Sequence, residues 1–223
     1  MLPLVNVVAV PVKRLAAAKR RLSPILSATE RAALTLAMLD DVLAACVEQT
    51  GWKTWVISAA PEALEEAARS GARPVEDHGR SLLQAIHQVE GMVRARSSRL
   101  AVLLADLPML SAASLREALS LGEGDGERVV AAPAGSDGGT NLLVRGPAGA
   151  IPARFGRSSF ARHRQEARAR GVPFLEVAAP ELAFDLDRPE DLATLLAPGS
   201  AAPSRTRATC LDMGLAARLQ VPA

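Results

Sequence analysis

Three aspartates carry the first recognisable chemistry in this sequence. Asp185 and Asp187 stand one residue apart in F-D-L-D-R-P-E-D, and Asp106 closes the apolar run L-A-V-L-L-A-D-L-P. In an extended chain, side chains at i and i+2 point to the same side, so Asp185 and Asp187 can aim at one ion. Asp106 ends a segment rich in Leu and Val, and open α/β sheets place their ligands outside the carboxyl ends of strands. Three acids without a Cys or His beside them suit magnesium better than zinc. Magnesium takes few carboxylates and shares its other positions with water and phosphate. The bland alternative makes R-P-E-D a helix start, with Asp187 as a cap and Asp191 a solvated helix acid. Taken as a trio, the aspartates favour the metal.

Two segments have the makings of phosphate seats. The first, V-P-V-K-R-L-A-A-A-K-R-R-L, follows a Val-rich run, so Lys13, Lys19 and Arg21 can converge on a polyphosphate at the first strand-to-helix turn. A solvated basic loop has the same composition. The second combines S-D-G-G-T-N-L-L with I-P-A-R-F-G-R-S-S-F-A-R-H. Gly138 and Gly139 permit close backbone approach, and Thr140 adds a hydroxyl. Gly156, Ser158 and Ser159 precede an expected helix, a second place for an anion. D-G-G-T is also an ordinary turn between strands. Two anion seats around an acid cluster suit nucleotidyl transfer to a phosphorylated acceptor.

The elements that must position these groups alternate. Strands are expected at Val5–Val10, Trp52–Ser58, Ala72–Val75 and Leu100–Leu104. Helices are expected after the capping-box pair Ser27 and Glu30, then at Pro61–Ser70, Ser81–Arg94 and Ser111–Ser120. Further strands follow at Arg128–Ala132, Asn141–Val144 and Phe174–Val177, with helices at Ser158–Arg170 and Pro189–Leu196. The order predicts an α/β fold: a mostly parallel, Rossmann-like sheet with helices on both faces. Residues 1–197 read as a single nucleotidyltransferase domain. Residues 198–223 read as a linker and a tail segment that docks on the body or on a second subunit, a homodimer contact.

Composition narrows the partners. A chain of 223 residues that is 49% hydrophobic has material for one sizeable core. With 26 basic against 24 acidic residues, 3% aromatics and no Tyr, nothing calls for nucleic acid. The N-terminal apolar run carries its positive charges after it, unlike a signal peptide, and no run has membrane-spanning length. Cys46 and Cys210 form no Cys-x-x-Cys pair, which fits a reducing cytoplasm. No P-loop, H-E-x-x-H or G-x-S-x-G motif occurs. His78, His87 and His163 are scattered and read as structural.

The motifs V-P-V-K-x-L-x-x-A-K-x-R-L-S, A-D-L-P-x-L, D-G-G-T-N-L-L, F-G-x-x-S-F-x-R-H and D-L-D-x-P-E-D-L occur in that order. Through them the chain, to about Leu196, resembles the 2-phospho-L-lactate guanylyltransferase family of coenzyme F-420 biosynthesis, which includes phosphoenolpyruvate-using members. The resemblance implies a nucleotide-diphospho-sugar-transferase-like fold, with GTP as co-substrate, magnesium as cofactor and a phosphorylated three-carbon acid as acceptor. It also implies a handover to the next enzyme of that pathway. It assigns Lys13, Lys19 and Arg21 to the GTP phosphates, and with Asp106 to catalysis. Asp106, Asp185 and Asp187 would bind the metal, and Thr140, Gly156 and Ser159 the acid. Leu83 stands where members usually have Asn, and Ser158 where they often have Gly. Another nucleotidyltransferase of the same fold, acting on a sugar phosphate or a molybdopterin, and a non-catalytic nucleotide-binding module are the alternatives.

Overall fold

The strands are β1 (Asn6–Val12), β2 (Trp52–Ser58), β3 (Arg73–Glu76), β4 (Leu100–Leu103), β5 (Arg128–Pro133), β6 (Thr140–Gly146) and β7 (Phe174–Glu176). The longer helices are α1 (Ala28–Val47), α2 (Pro61–Arg69), α3 (Leu82–Met92), α4 (Ala112–Leu121) and α5 (Ser159–Arg170). Short helices α6 (Pro180–Ala183), α7 (Pro189–Leu196), α8 (Arg205–Asp212) and α9 (Leu215–Arg218) complete the chain. The structure is a computed structural model that describes residues 5–13, 15, 18–79, 81–93, 98–199 and 204–220. The expected helix end at Arg94 and the linker residues 200–203 lie outside that set.

The strands form one sheet of order β3-β2-β1-β4-β6-β5-β7. β6 runs antiparallel to both its neighbours, and every other pairing is parallel. The expected mostly parallel α/β sheet is therefore present, with one reversed strand inside it. β1 is apolar without alternation because it is buried on both faces. Val8, Val10 and Val12 pack toward α1, α2 and α4, whereas Val7 and Ala9 face the layer that contains α3 and α5.

The chain leaves β1 for β2 on one side, while β4 pairs on the other. That is a topological switch point, where adjacent connections diverge and open a crevice. Pairing of β1 with β4 stops at Ala9, whereas pairing with β2 continues to Val12. Pro11, which has no N–H to donate, falls beyond the last β4 pairing. The basic segment after β1 and Asp106 after β4 thus flank one cleft.

A third apolar cluster lies beneath that cleft. Leu22, Leu26, Leu34, Met38, Leu186 and Leu195 pack there with Cys210 and Leu215 of the tail. The tail docks on the chain's own body: the Asp41 carboxylate accepts from the backbone N–H groups of Arg205 at 2.7 Å and Thr206 at 2.9 Å, and from the Thr206 hydroxyl. Arg218 donates to Glu30 at 2.5 Å and to the Ile25 carbonyl. Among the described residues no helix is long and apolar enough to cross a membrane.

Asp41 thus caps α8 from a neighbouring helix. Asp41→Ala is expected to lower stability by about 1–2 kcal/mol, the usual loss of a helix cap. Urea unfolding checks this through its midpoint. An unchanged midpoint would mean that the apolar packing and the Arg218 contacts hold the tail without Asp41.

Candidate active site

The basic segment closes with a 3-10 turn at Arg20–Leu22, and Lys19 before it has φ 50° and ψ 42°, the left-handed region. A non-glycine residue there costs of order 1 kcal/mol and needs its surroundings to hold it. Two contacts supply the hold. Arg31 reaches back from α1 to the carbonyls of Ala18 at 3.3 Å and Leu26 at 2.8 Å, spanning the turn. Leu22 is fully buried in the third cluster. The result places Lys19 Nζ 2.6 Å from Asp106 Oδ2 and 2.7 Å from Asp187 Oδ1, with the lysine side chain only 6% exposed. Arg21 donates to Asp187 Oδ2 at 3.3 Å from an exposed position. Lys13 is exposed and lines the same cavity, of about 330 Å³, as Lys19, Arg21, Asp106 and Asp187. A neighbouring cavity of about 420 Å³ shares Pro11, Val12, Lys13 and Leu82 with it and extends to Asp77.

Asp185 and Asp187 lie in a connecting segment between α6 and α7 rather than in a strand. The Leu186 N–H donates to the Asp106 carbonyl at 3.1 Å, and Leu186 turns into the third cluster while Asp187 lines the cleft cavity. Asp187 is not a helix cap. That work falls to Asp191, whose Oδ2 accepts from the backbone N–H groups of Asp187 at 2.8 Å and Arg188 at 2.7 Å. The D-R-P-E-D spacing carried this signal, and Asp191 is a support for Asp187 rather than a solvated helix acid.

The three carboxylates gather, but not as a cage of ligands. Among the described residues no group of three or more His, Cys, Asp or Glu side chains has the arrangement to hold a metal ion. The Lys19 ammonium takes the place between Asp106 and Asp187 because it brings the positive charge that they need. Burial works against the charged lysine, yet Asp106 and Asp187 outweigh it and raise its pKa above the ordinary value. Burial likewise pushes Asp187 up, but Lys19, Arg21 and Lys13 hold it below the usual carboxylate range. Asp185 goes the other way. Burial raises its pKa, a hydrogen bond from Ser136 opposes the rise, and the Asp106 and Asp187 charges add to it.

That imbalance bears on a divalent cation. Asp106 Oδ1 and Asp185 Oδ1 are buried oxygens without a hydrogen-bond partner among the described residues. A buried acceptor left unmet costs about 1–3 kcal/mol, more when charged, and a bound cation would satisfy both oxygens. The donor set fits a hard, oxygen-seeking ion such as magnesium.

The residues of the expected second anion seat lie on β6, α5 and the loop before α5, with the Thr140 and Ser159 side chains buried. Ser159 Oγ donates to Thr140 Oγ1 at 3.0 Å, and His163 Nδ1 lies 3.0 Å from the same oxygen. His163 Nε2 accepts the Arg154 N–H at 2.8 Å. Burial, followed by the charges of Arg145 and Arg162, lowers the His163 pKa to about 4, so it is neutral at physiological pH. Gly156 has φ 111°, which a residue with a Cβ rarely adopts. Ser158 has φ 55°, so the serine takes up the left-handed conformation that a glycine would favour, and the turn is kept. Leu83 is a partly buried apolar side chain on the α3 and α5 layer and offers no polar contact. The loop between β5 and β6 joins the two halves of the site. Ser136 Oγ donates to Asp185 Oδ2 at 3.0 Å, and the Gly135 N–H donates to the Ala183 carbonyl at 2.8 Å.

Comparison with known proteins shows the family and the fold. The family described as "Guanylyl transferase CofC like" matches residues 6–215. The chain belongs to that family. It is 41% identical over 193 residues, 85% of this chain and 93% of the relative, to a phosphoenolpyruvate guanylyltransferase of Rubrobacter xylanophilus. It is 35% identical to a 2-phospho-L-lactate guanylyltransferase of Methanothermobacter thermautotrophicus, covering 88% of this chain and 86% of the relative. A 3-phospho-D-glycerate guanylyltransferase of Phenylobacterium zucineum is 38% identical over 78% of this chain and 82% of its own. Among solved structures, a cytidylyltransferase of Leptospira borgpetersenii superimposes with TM-score 0.61 at 11% identity, over 98% of each chain. A protein assigned as a nucleotide-diphospho-sugar transferase from Desulfovibrio desulfuricans does so with TM-score 0.73 at 17% identity, over 96% of each chain. These two likenesses establish the fold. Family membership makes the chain a nucleotidyltransferase, a class of enzyme that generally uses a divalent metal.

The Lys19 contacts lead to a stability test. Lys19→Met is expected to lower the melting temperature at pH 7, because it removes the buried cation between Asp106 and Asp187 and leaves only exposed groups such as Arg21 to offset their charge. Added magnesium or manganese is expected to recover part of that loss and to stabilise the variant more than the unmodified protein. Thermal unfolding with and without the ion checks both. A variant as stable as the parent and blind to the ion would contradict the electrostatic reading.

Proposed function

We propose that the protein moves GMP from GTP onto the phosphate of a small phosphorylated carboxylic acid, phosphoenolpyruvate or 2-phospho-L-lactate, and releases pyrophosphate. Coenzyme F-420 assembly is the pathway, with the next enzyme of that pathway receiving the product in the cytoplasm. The observation that carries the reading is the meeting of Lys19 with Asp106 and Asp187 at the switch-point cleft, joined through Ser136 to the loop of Thr140. The guanylyl donor and the choice of acids are supported by the relatives named above.

In this reading Lys13, Lys19 and Arg21 bind the triphosphate. Lys13 and Arg21 are exposed at the cavity mouth, free to follow the phosphates as they enter. Asp106 and Asp185, through their unpartnered oxygens, and Asp187, once phosphate draws Lys19 away, would hold magnesium, whose charge offsets repulsion between the two phosphorylated substrates. Thr140, Gly156 and Ser159 would hold the acid on the other side of the Ser136 link. An acceptor phosphate oxygen attacks the α-phosphorus of GTP, an O–P bond forms, and the bond to the β-phosphate oxygen breaks. Pyrophosphate departs with the electron pair. The acceptor phosphate is ionised near neutral pH, so no side chain needs to remove a proton. Positioning and charge stabilisation supply the rate.

The test is pyrophosphate release from GTP and magnesium with each acid in parallel. Release is expected with one acid and not without it. Asp106→Asn is expected to lower turnover by about two to three orders of magnitude while the melting curve stays cooperative. A fully active variant would remove Asp106 from the mechanism, and no release with either acid would remove both as acceptors.

A further inference from the structure

The sequence marks His163 as structural, but its hydrogen bonds do more than fill a core. The Arg154 backbone N–H can only donate, and it meets Nε2 at 2.8 Å. Nε2 must therefore be the bare nitrogen, which puts the ring proton on Nδ1. Nδ1–H then donates to Thr140 Oγ1 at 3.0 Å. The Thr140 and Ser159 hydroxyls are 3.0 Å apart, and neither has another hydrogen-bond partner among the described residues. Counting protons gives the result. The two hydroxyls own two protons, one is spent between them, and the imidazole takes none. One O–H proton remains unspent, whichever way the pair is turned. With the other tautomer, Nδ1 would consume that proton and leave the network closed on itself.

We infer that His163 is a positioning residue: held as the Nδ1–H tautomer by the Arg154 N–H, it leaves the Thr140–Ser159 hydroxyl pair one donor for an anionic oxygen of the acceptor. The inference rests on the assignment of Thr140 and Ser159 to the acid, made above. It also explains why a fully buried histidine joins these elements. The ring ties the loop that carries Gly156 to the first residue of β6 and to the helix that Ser159 opens. The unspent O–H of the pair can meet a carboxylate or phosphate oxygen of the acid. Burial keeps the ring neutral, so the arrangement persists across the working pH range.

Two measurements test it on the full chain. Nitrogen-15 NMR of histidine-labelled protein, with the His163 signals assigned by loss in His163→Asn, is expected to show a protonated Nδ1 and a bare Nε2 from pH 6 to 8. A bare Nδ1, or titration within that range, would overturn the inference. In kinetics, His163→Leu is expected to raise KM for the acid about tenfold, because Thr140 Oγ1 loses the Nδ1–H that fixes the orientation of the hydroxyl pair, with KM for GTP unchanged. His163→Asn, whose amide N–H lies near the position of Nδ1–H, is expected to recover most of that loss. Equal KM values for the acid in the Leu and Asn variants would contradict the donor role. If no phosphorylated acid supports turnover by the unmodified protein, the proposed function fails, and the tautomer still decides whether the hydroxyl pair is left as a donor.

Discussion

One ammonium group organises the cleft. Lys19 reaches Asp106 from the end of β4 and Asp187 from the segment before α7, and these parts lie far apart in sequence. Without a cation between them, two carboxylates at that separation would repel in a half-buried setting, where Coulomb energies are well above their value in water. The chain accepts a left-handed backbone at Lys19 to put the charge there. The local strain and the long-range attraction belong to one design: the turn is bent so that its lysine faces inward.

Apolar packing underneath makes the arrangement rigid. Leu22 anchors the basic turn and Leu186 anchors the acid segment, and both end in the same cluster, which Cys210 and Leu215 of the tail help to close. Arg218 adds a polar tie to Ile25 and Glu30, just beyond the turn. The charged groups in the cleft and the apolar groups below it alternate along the same short segments. A one-residue slip in either segment would exchange a leucine for a charge.

Much of this could be read from residue order. The Ser27 and Glu30 capping box, the Val-rich first strand and the Leu-rich run before Asp106 each encode a local preference, and the structure has each of them. What the sequence withheld depends on tertiary charge balance. The aspartates looked like a bare ligand set because nothing local reveals that Lys19, 87 residues before Asp106 and 168 before Asp187, lies between two of them. The reversed direction of β6 and the short helix α6 were also hidden: a six-residue turn region and a P-E-L-A run carry too little periodicity. His163 looked inert because its partners, the Thr140 hydroxyl and the Arg154 backbone, come together only in the fold. Ser136 and Asp191, which brace the acids, were likewise visible only as turn and helix-start residues.

The central claim is that this cleft directs an acceptor phosphate oxygen onto the α-phosphorus of GTP. The direct test uses an acceptor whose phosphate oxygens carry oxygen-18, with phosphorus NMR of the products. The account predicts a new diphosphate linkage with the heavy isotope at its bridging oxygen and none in the released pyrophosphate. Oxygen-18 in the pyrophosphate, or a product without a diphosphate linkage, would contradict it.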